Sequence, residues 1–282
     1  MIDPATYLRR DNPRLLQLEA DYAALDLPFK LSAWKDHQNV GVDIANFRAD
    51  GAYLGQGGLD REPQYRAMWN YVKAIDSFGW IDDLKEDGDF GVLAFDFDGY
   101  SVSRDLCDSV MELKFILDEL GYLPQNWLDI GSGYGRLAHR LTTISPRSRI
   151  ICADAVPVST FLCDFYSQYR GFADKCHIGT LTELESVDWV ADIACNIHSW
   201  SECSAAAINF WLDKLVEWRV PYLFVVPHDE RWVCVNEDGS IGNFKPLILD
   251  HGYAEIASRP KYPAGVDGLY PEVHYHMFAR SR

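Results

Sequence analysis

Near the middle of the chain, Asp129-Ile-Gly131-Ser-Gly133-Tyr-Gly135 is entered from the apolar run Asn126-Trp-Leu-Asp-Ile and left through Arg136-Leu-Ala-His-Arg-Leu. An apolar strand ending in an acidic residue, then alternating glycines, then a helix makes a loop whose backbone can approach a ligand closely. The spacing separates ligand classes. A dinucleotide fingerprint, G-x-G-x-x-G/A, needs a small third residue where helix packs on strand. Arg136 fills that slot here, and the glycines run G-x-G-x-G instead.

From residue 120 onward, strand-like and helix-like segments alternate, which predicts a parallel sheet with helices on both faces. Strands are expected at 127–130, 149–153, 175–178, 190–196 and 222–226. Helices are expected from the glycine loop to about Ser145, at 158–169 and at 205–218. In the last of these Ile208, Trp211, Leu212, Leu215 and Val216 share one face. Strand-like pieces at 253–257 and 273–279 close the chain. The preceding hundred residues read differently. Segments 12–25 and 62–78 look helical, 40–58 is rich in Gly, Asn and Asp, and 82–89 and 96–99 look like acidic loops. Segment 106–120 is an amphipathic helix. Residues 1–105 are thus expected to form a mostly helical lid or dimerisation region, compatible with a homodimer, and 106–282 the core.

Composition narrows the partners. A formal net charge of −16 over 282 residues argues against nucleic acid or an anionic membrane surface, which call for a basic stripe. The densest basic patch, 136–149, reads as a solvated helix face. The most apolar stretch, 222–226, lies between Pro221 and Pro227 and is far too short to span a bilayer. The N-terminus has no apolar run that could serve as a signal peptide. Seven cysteines form no C-x-x-C pair. A reduced, cytoplasmic setting is therefore expected, with most of the thiols acting as small hydrophobes. A small-molecule partner remains, neutral or activated by a nucleotide carrier.

The G-x-G-x-G loop, with Asp129 two residues before its first glycine, resembles motif I of class I S-adenosylmethionine-dependent methyltransferases. The resemblance implies a Rossmann-like, seven-stranded sheet whose last strand is antiparallel, S-adenosyl-L-methionine as cofactor and S-adenosyl-L-homocysteine as product. Gly131, Ser132, Gly133 and Gly135 would line the methionine portion, and Asp129 would accept from its amino group. Asp154, at the end of the second core strand and next to Ala155, is placed for the ribose hydroxyls; its alternative is a turn residue. Thr180 and Leu181 are candidate adenine neighbours, although a turn explains them as well.

The fourth core strand ends in Asn196-Ile-His198-Ser-Trp200-Ser-Glu202, which should face both sulfonium and acceptor. The Asn/Asp-Pro-Pro-Tyr sequence of many amino-methylating enzymes is absent. His198 instead offers a base with an ordinary pKa of about 6.5, and His228 is a second candidate at the end of the next strand. His274 and His276 share a face but lack metal-ligand companions in chain order, so no metal site is assigned; Asp229 and Glu230 keep a divalent ion open. Tyr65, Trp69, Tyr71 and Trp80 either close over the site or pack a helix core.

Together, Ser103-Arg-Asp105, the glycine loop, Asp154-Ala-Val-Pro157 and 196–202 resemble a sugar O-methyltransferase family over about residues 100–230. That resemblance implies Arg104 near the cofactor carboxylate and His198 with Glu202 at the acceptor, a sugar or glycosylated small molecule. Transfer to a small-molecule nitrogen or phenol, or a cyclase or binding protein that keeps the pocket, are the alternatives.

Overall fold

The computed structural model describes residues 2–26, 41–183, 190–236, 238–266 and 273–280, so residues 1 and 27–40 of the N-terminal region lie outside the described residues. Strands β1 (Ala94–Phe97) and β2 (Tyr100–Ser103) form a hairpin ahead of the main sheet. Then come β3 (Asn126–Ile130), β4 (Arg149–Ala153), β5 (Cys176–Gly179), β6 (Ile193–Ile197) and β7 (Tyr222–Val226), separated by helices. A small hairpin, β8 (Val233–Val235) and β9 (Ile241–Asn243), precedes β10 (Tyr253–Pro260) and β11 (His274–Arg280).

The seven-stranded sheet has the spatial order β10-β11-β7-β6-β3-β4-β5. Its strands β3 to β7 pair in parallel, while β11 runs antiparallel to both β7 and β10. Helices cover both faces, and helical N-terminal segments pack over them. The parallel strands with helices on both faces are what the alternation of segments predicts, and the antiparallel last strand of this Rossmann-like architecture is what the resemblance of the glycine loop implies. Among the described residues no helix is long and apolar enough to cross a membrane. After β3 the chain winds outward to β4 and β5 on one side, then returns to β6 on the other. Crevices for ligands open at such reversals, beyond the carboxyl ends of the strands.

Two expectations are corrected. Segment 96–99 is a hairpin turn rather than a free loop: Asp98 and Gly99 both have positive φ (53° and 86°), the backbone that a two-residue Asp-Gly connection requires. Of the arginines in the basic stretch 136–149 only Arg147 and Arg149, beyond the helix, are exposed, and the helical arginines are not a solvated face. Arg136 pairs with Glu112, and Arg140, 1% exposed, pairs with Asp105 and Glu86. All three carboxylates lie well upstream in the sequence. The Arg104–Leu120 helix, N-capped by Ser103, is accordingly buried on its polar side too, with Asp105, Asp108 and Glu112 inside.

Asp105 is the hub of this ionic layer. Its carboxylate is 2.9 Å from the Arg140 guanidinium and 3.2 Å from that of Arg48, and it accepts the Tyr134 hydroxyl from within the glycine loop. Buried as it is, the flanking Arg140 and Arg48 hold its carboxyl far below the usual range. Removing one partner of a buried ion pair strands the others and costs about 3–5 kcal/mol. Asp105→Ala is therefore expected to lower unfolding free energy by that amount in urea titration. A loss below about 1 kcal/mol, the level of an exposed pair, would show that Arg48 and Arg140 are satisfied without it.

Candidate functional site

The glycine loop is clamped between the strands flanking β3. On the β4 side, Gly131 N–H donates to the Ala153 carbonyl (2.8 Å) and Gly133 N–H to the Asp154 carboxylate (2.9 Å). On the β6 side, a Cβ on Gly131 would stand only 2.0 Å from the Ser199 Oγ. Gly131 and Gly133 have φ of +75° and +56°, a backbone that side chains rarely adopt. The Arg136–Ile144 helix that follows has no side-chain cap at its N-terminus. Such an end offers unspent N–H groups and a positive dipole end.

A cleft opens here, lined by Asp129, Gly131, Ser132, Gly133, Asp154, Ala155, His198 and Glu202 among the expected residues. Asp129 meets no protein hydrogen-bond donor among the described residues, and burial pushes its carboxyl up to about 7. Burial likewise raises Asp154 to about 7, although the N–H groups of Val156 and Gly133 oppose the shift. Below about pH 7 both acids therefore favour the proton-bearing form, and a ligand that donates hydrogen bonds would stabilise the ionised form.

The sign of the pH effect follows. Below pH 7 these groups must lose protons on binding, so affinity is expected to fall from pH 8 to pH 6, by up to about tenfold per pH unit for each group that must ionise. Calorimetry in buffers of different ionisation enthalpy should register proton release at pH 6.5. Affinity independent of pH across this range would remove both carboxylates from the binding step. These two acids also contribute to the stability of the free protein, a contribution present below about pH 4 and lost as pH rises to about 7.

His198 follows β6 directly. Its φ of +68° and ψ of −33° are strained for a residue with a side chain, and its N–H is fixed to the Val226 carbonyl at the end of β7. The ring Nδ1 is buried without a hydrogen-bond partner among the described residues. Burial first, then the Lys261 ammonium and His228, hold its pKa well below 6.5, so the ring is neutral. The His228 ring lies 5.4 Å away, centre to centre, and its Nε2 is 3.6 Å from the Glu202 carboxylate. His198 and Glu202 line the cleft, and His228 lies near both but outside the lining.

Other expected residues lie elsewhere. The Asn196 side chain donates to the Ile130 carbonyl and Ser199 Oγ and accepts from Trp200 N–H, bracing the turn after β6. Arg104 is buried against Asp108 and the Gly55 carbonyl. Thr180 and Leu181 are engaged by Glu183 and Tyr22. None of these four lines the cleft. Gly135 packs against Cys163. Tyr65 and Trp69 are fully buried core residues, and neither they nor Tyr71 and Trp80 line the cleft. His274 and His276 do have an acidic companion: Glu230 reaches both, at 3.1 and 3.0 Å.

Sequence reasoning missed Tyr53, whose ring covers Gly133 and whose hydroxyl is 3.2 Å from Ser159 Oγ. It missed Ser199 and Trp211 at the same cleft. For Tyr53 no local pattern existed; for Ser199 the only signal was its place beside His198.

No family model and no curated protein matches the chain. Solved structures do. A Galdieria sulphuraria protein designated a sarcosine dimethylglycine methyltransferase is 14% identical, with TM-score 0.47, over 78% of this chain and 99% of that one. A SAM dependent methyltransferase from Aquifex aeolicus is 16% identical, with TM-score 0.44, over 61% and 92%. The M1A22 tRNA methyltransferase TrmK of B. subtilis is 13% identical, with TM-score 0.42, over 59% and 65%.

Proposed function

We propose that the protein is an S-adenosylmethionine-dependent O-methyltransferase acting on a hydroxyl of a sugar or glycosylated small molecule. The observation that carries this reading is the meeting, at the reversal of strand order, of a side-chain-free cradle with two buried carboxylates and a buried neutral imidazole. The residues fit the cofactor. A Cβ at Gly131 or Gly133 would run into Ser199 or the Tyr53 ring, so the loop keeps a bare backbone beside the cleft. Asp129, with no protein donor among the described residues, suits an ammonium. Asp154 retains lone pairs for ribose hydroxyls beyond its two backbone contacts.

When bound, S-adenosylmethionine supplies an electrophilic methyl group on its sulfonium. Asp129, Asp154 and the glycine loop bind and orient it. Tyr53 walls the cleft against water. The neutral His198 imidazole accepts the proton of the attacking hydroxyl as the methyl group arrives. His228, adjacent and half exposed, and Glu202 form the route to solvent. The stretch 196–202 supports a sugar acceptor through its family resemblance, and the polar lining of His198, Ser199 and Glu202 suits hydroxyl-rich molecules.

Calorimetric titration with S-adenosylmethionine and S-adenosylhomocysteine, beside Asp154→Asn, tests the cofactor assignment. Micromolar binding weakened in the variant is the expected result. Absence of binding by the parent protein would sink it. A screen of sugar nucleotides and glycosides for methyl incorporation then tests the acceptor, and transfer only to phenols or amines would overturn the sugar assignment.

A further inference from the structure

We propose that Cys152, Cys163 and Cys176 form a buried three-thiol site for a soft, low-coordinate cation, with Cu(I) as the matching ion. The three side chains come from β4, the Pro157–Arg170 helix and the first residue of β5. Their Sγ atoms all lie within 4.8 Å of one another, with Cys152 and Cys176 at 3.6 Å. Three sulfurs in a plane around a cation, at a metal–sulfur length of about 2.3 Å, stand about 4 Å apart. The fold has therefore already assembled the ligand triangle.

Chemistry selects the ion. Among the described residues no histidine or carboxylate joins the three sulfurs. Zinc in a structural site takes four ligands, whereas soft thiolates favour Cu(I). Each thiol that coordinates as a thiolate releases its proton to solvent, and the first such loss balances the single positive charge.

The site has an entry. Cys176 is the least buried of the three, at 7% exposure against 2% and 1%. It sits on the edge strand of the sheet and borders a second surface cleft together with Arg149, Asp174 and His177. A metal site needs such a path. On the inner side the Cys163 sulfur stands 2.8 Å from where a Cβ of Gly135 would be, directly behind the glycine loop.

The test is anaerobic titration of the reduced full-length protein with Cu(I) in competition with bathocuproine disulfonate, a coloured Cu(I) chelator. One equivalent should be withdrawn from the chelator. Affinity should fall at least tenfold in Cys163→Ala and in Cys176→Ala and be unchanged in Cys234→Ala, which lies outside the cluster. Circular dichroism establishes folding of each variant. Should Cys163→Ala not fold, Cys176→Ala on the edge strand carries the same comparison. A thiolate-to-metal absorption band on adding Cd(II), absent in the cluster variants, is the second expected signature. Failure of the parent protein to compete with the chelator, or parental affinity in the folded cluster variants, would overturn the proposal and leave the three thiols as core packing.

Discussion

Changing Gly131 to alanine is expected to weaken S-adenosylmethionine binding by at least about a hundredfold, roughly 2.7 kcal/mol, in a protein that still folds. Two effects add. A side chain at φ +75° costs about 1–2 kcal/mol. The new Cβ would also lie 2.0 Å from Ser199 Oγ and 2.4 Å from its Cβ, distances no packed structure tolerates. Ser199 cannot easily give way, because its hydroxyl is held by the Asn196 amide at 2.6 Å. The loop must move instead, and it is tied to Ala153 and Asp154 on its other side. Pairing Gly131→Ala with Ser199→Gly removes the clash and leaves only the backbone cost, so the double variant should regain about tenfold in affinity. Calorimetry measures both. A single variant binding within threefold of the parent would show that the loop is not the cofactor cradle.

The loop was legible because its signal is local: an apolar run, alternating glycines and a helix within about fifteen residues. The same holds for β3 to β7, whose apolar segments are punctuated by turns and fall close to their expected bounds. What escaped depends on contacts between distant segments. Arg140 reads as a surface residue until the carboxylates of Asp105 and Glu86, 35 and 54 residues upstream, are seen beside it. Asn196 has the right place for a ligand contact, yet its amide is spent on Ile130, 66 residues away. Tyr53 belongs to a stretch with no periodicity, so only packing could put it over Gly133. His198 and Glu202 were accessible to sequence reasoning because they follow directly from the end of a recognisable strand. The strain at His198 was not, since nothing in its neighbours announces a positive φ.

That strain leads to the second large effect. Replacing His198 by glycine is expected to slow methyl transfer by about 10²–10³-fold, the usual contribution of a positioned acid–base group, while cofactor affinity stays within about twofold. The variant should also be more stable than the parent. Glycine relieves a backbone conformation costing about 1–3 kcal/mol, and removal of the ring eliminates a buried Nδ1 that has no hydrogen-bond partner among the described residues. The difference should depend on pH with a definite sign. The His198 pKa in the fold lies well below 6.5, held down chiefly by burial. Its neutral ring therefore contributes fully above about pH 6.5, and stability is lost as pH falls below that value because the unfolded chain takes up the proton first. The glycine variant escapes that loss, so its advantage in thermal unfolding should widen between pH 7 and pH 5. His198→Ala serves as the control: it removes the ring but keeps a Cβ at the strained position, so it should be equally inactive and gain less stability. Undiminished turnover in both variants would remove His198 from the chemistry and favour an acceptor, such as a phenol, that needs no base. A glycine variant less stable than the parent would mean that the ring's packing outweighs the strain it imposes.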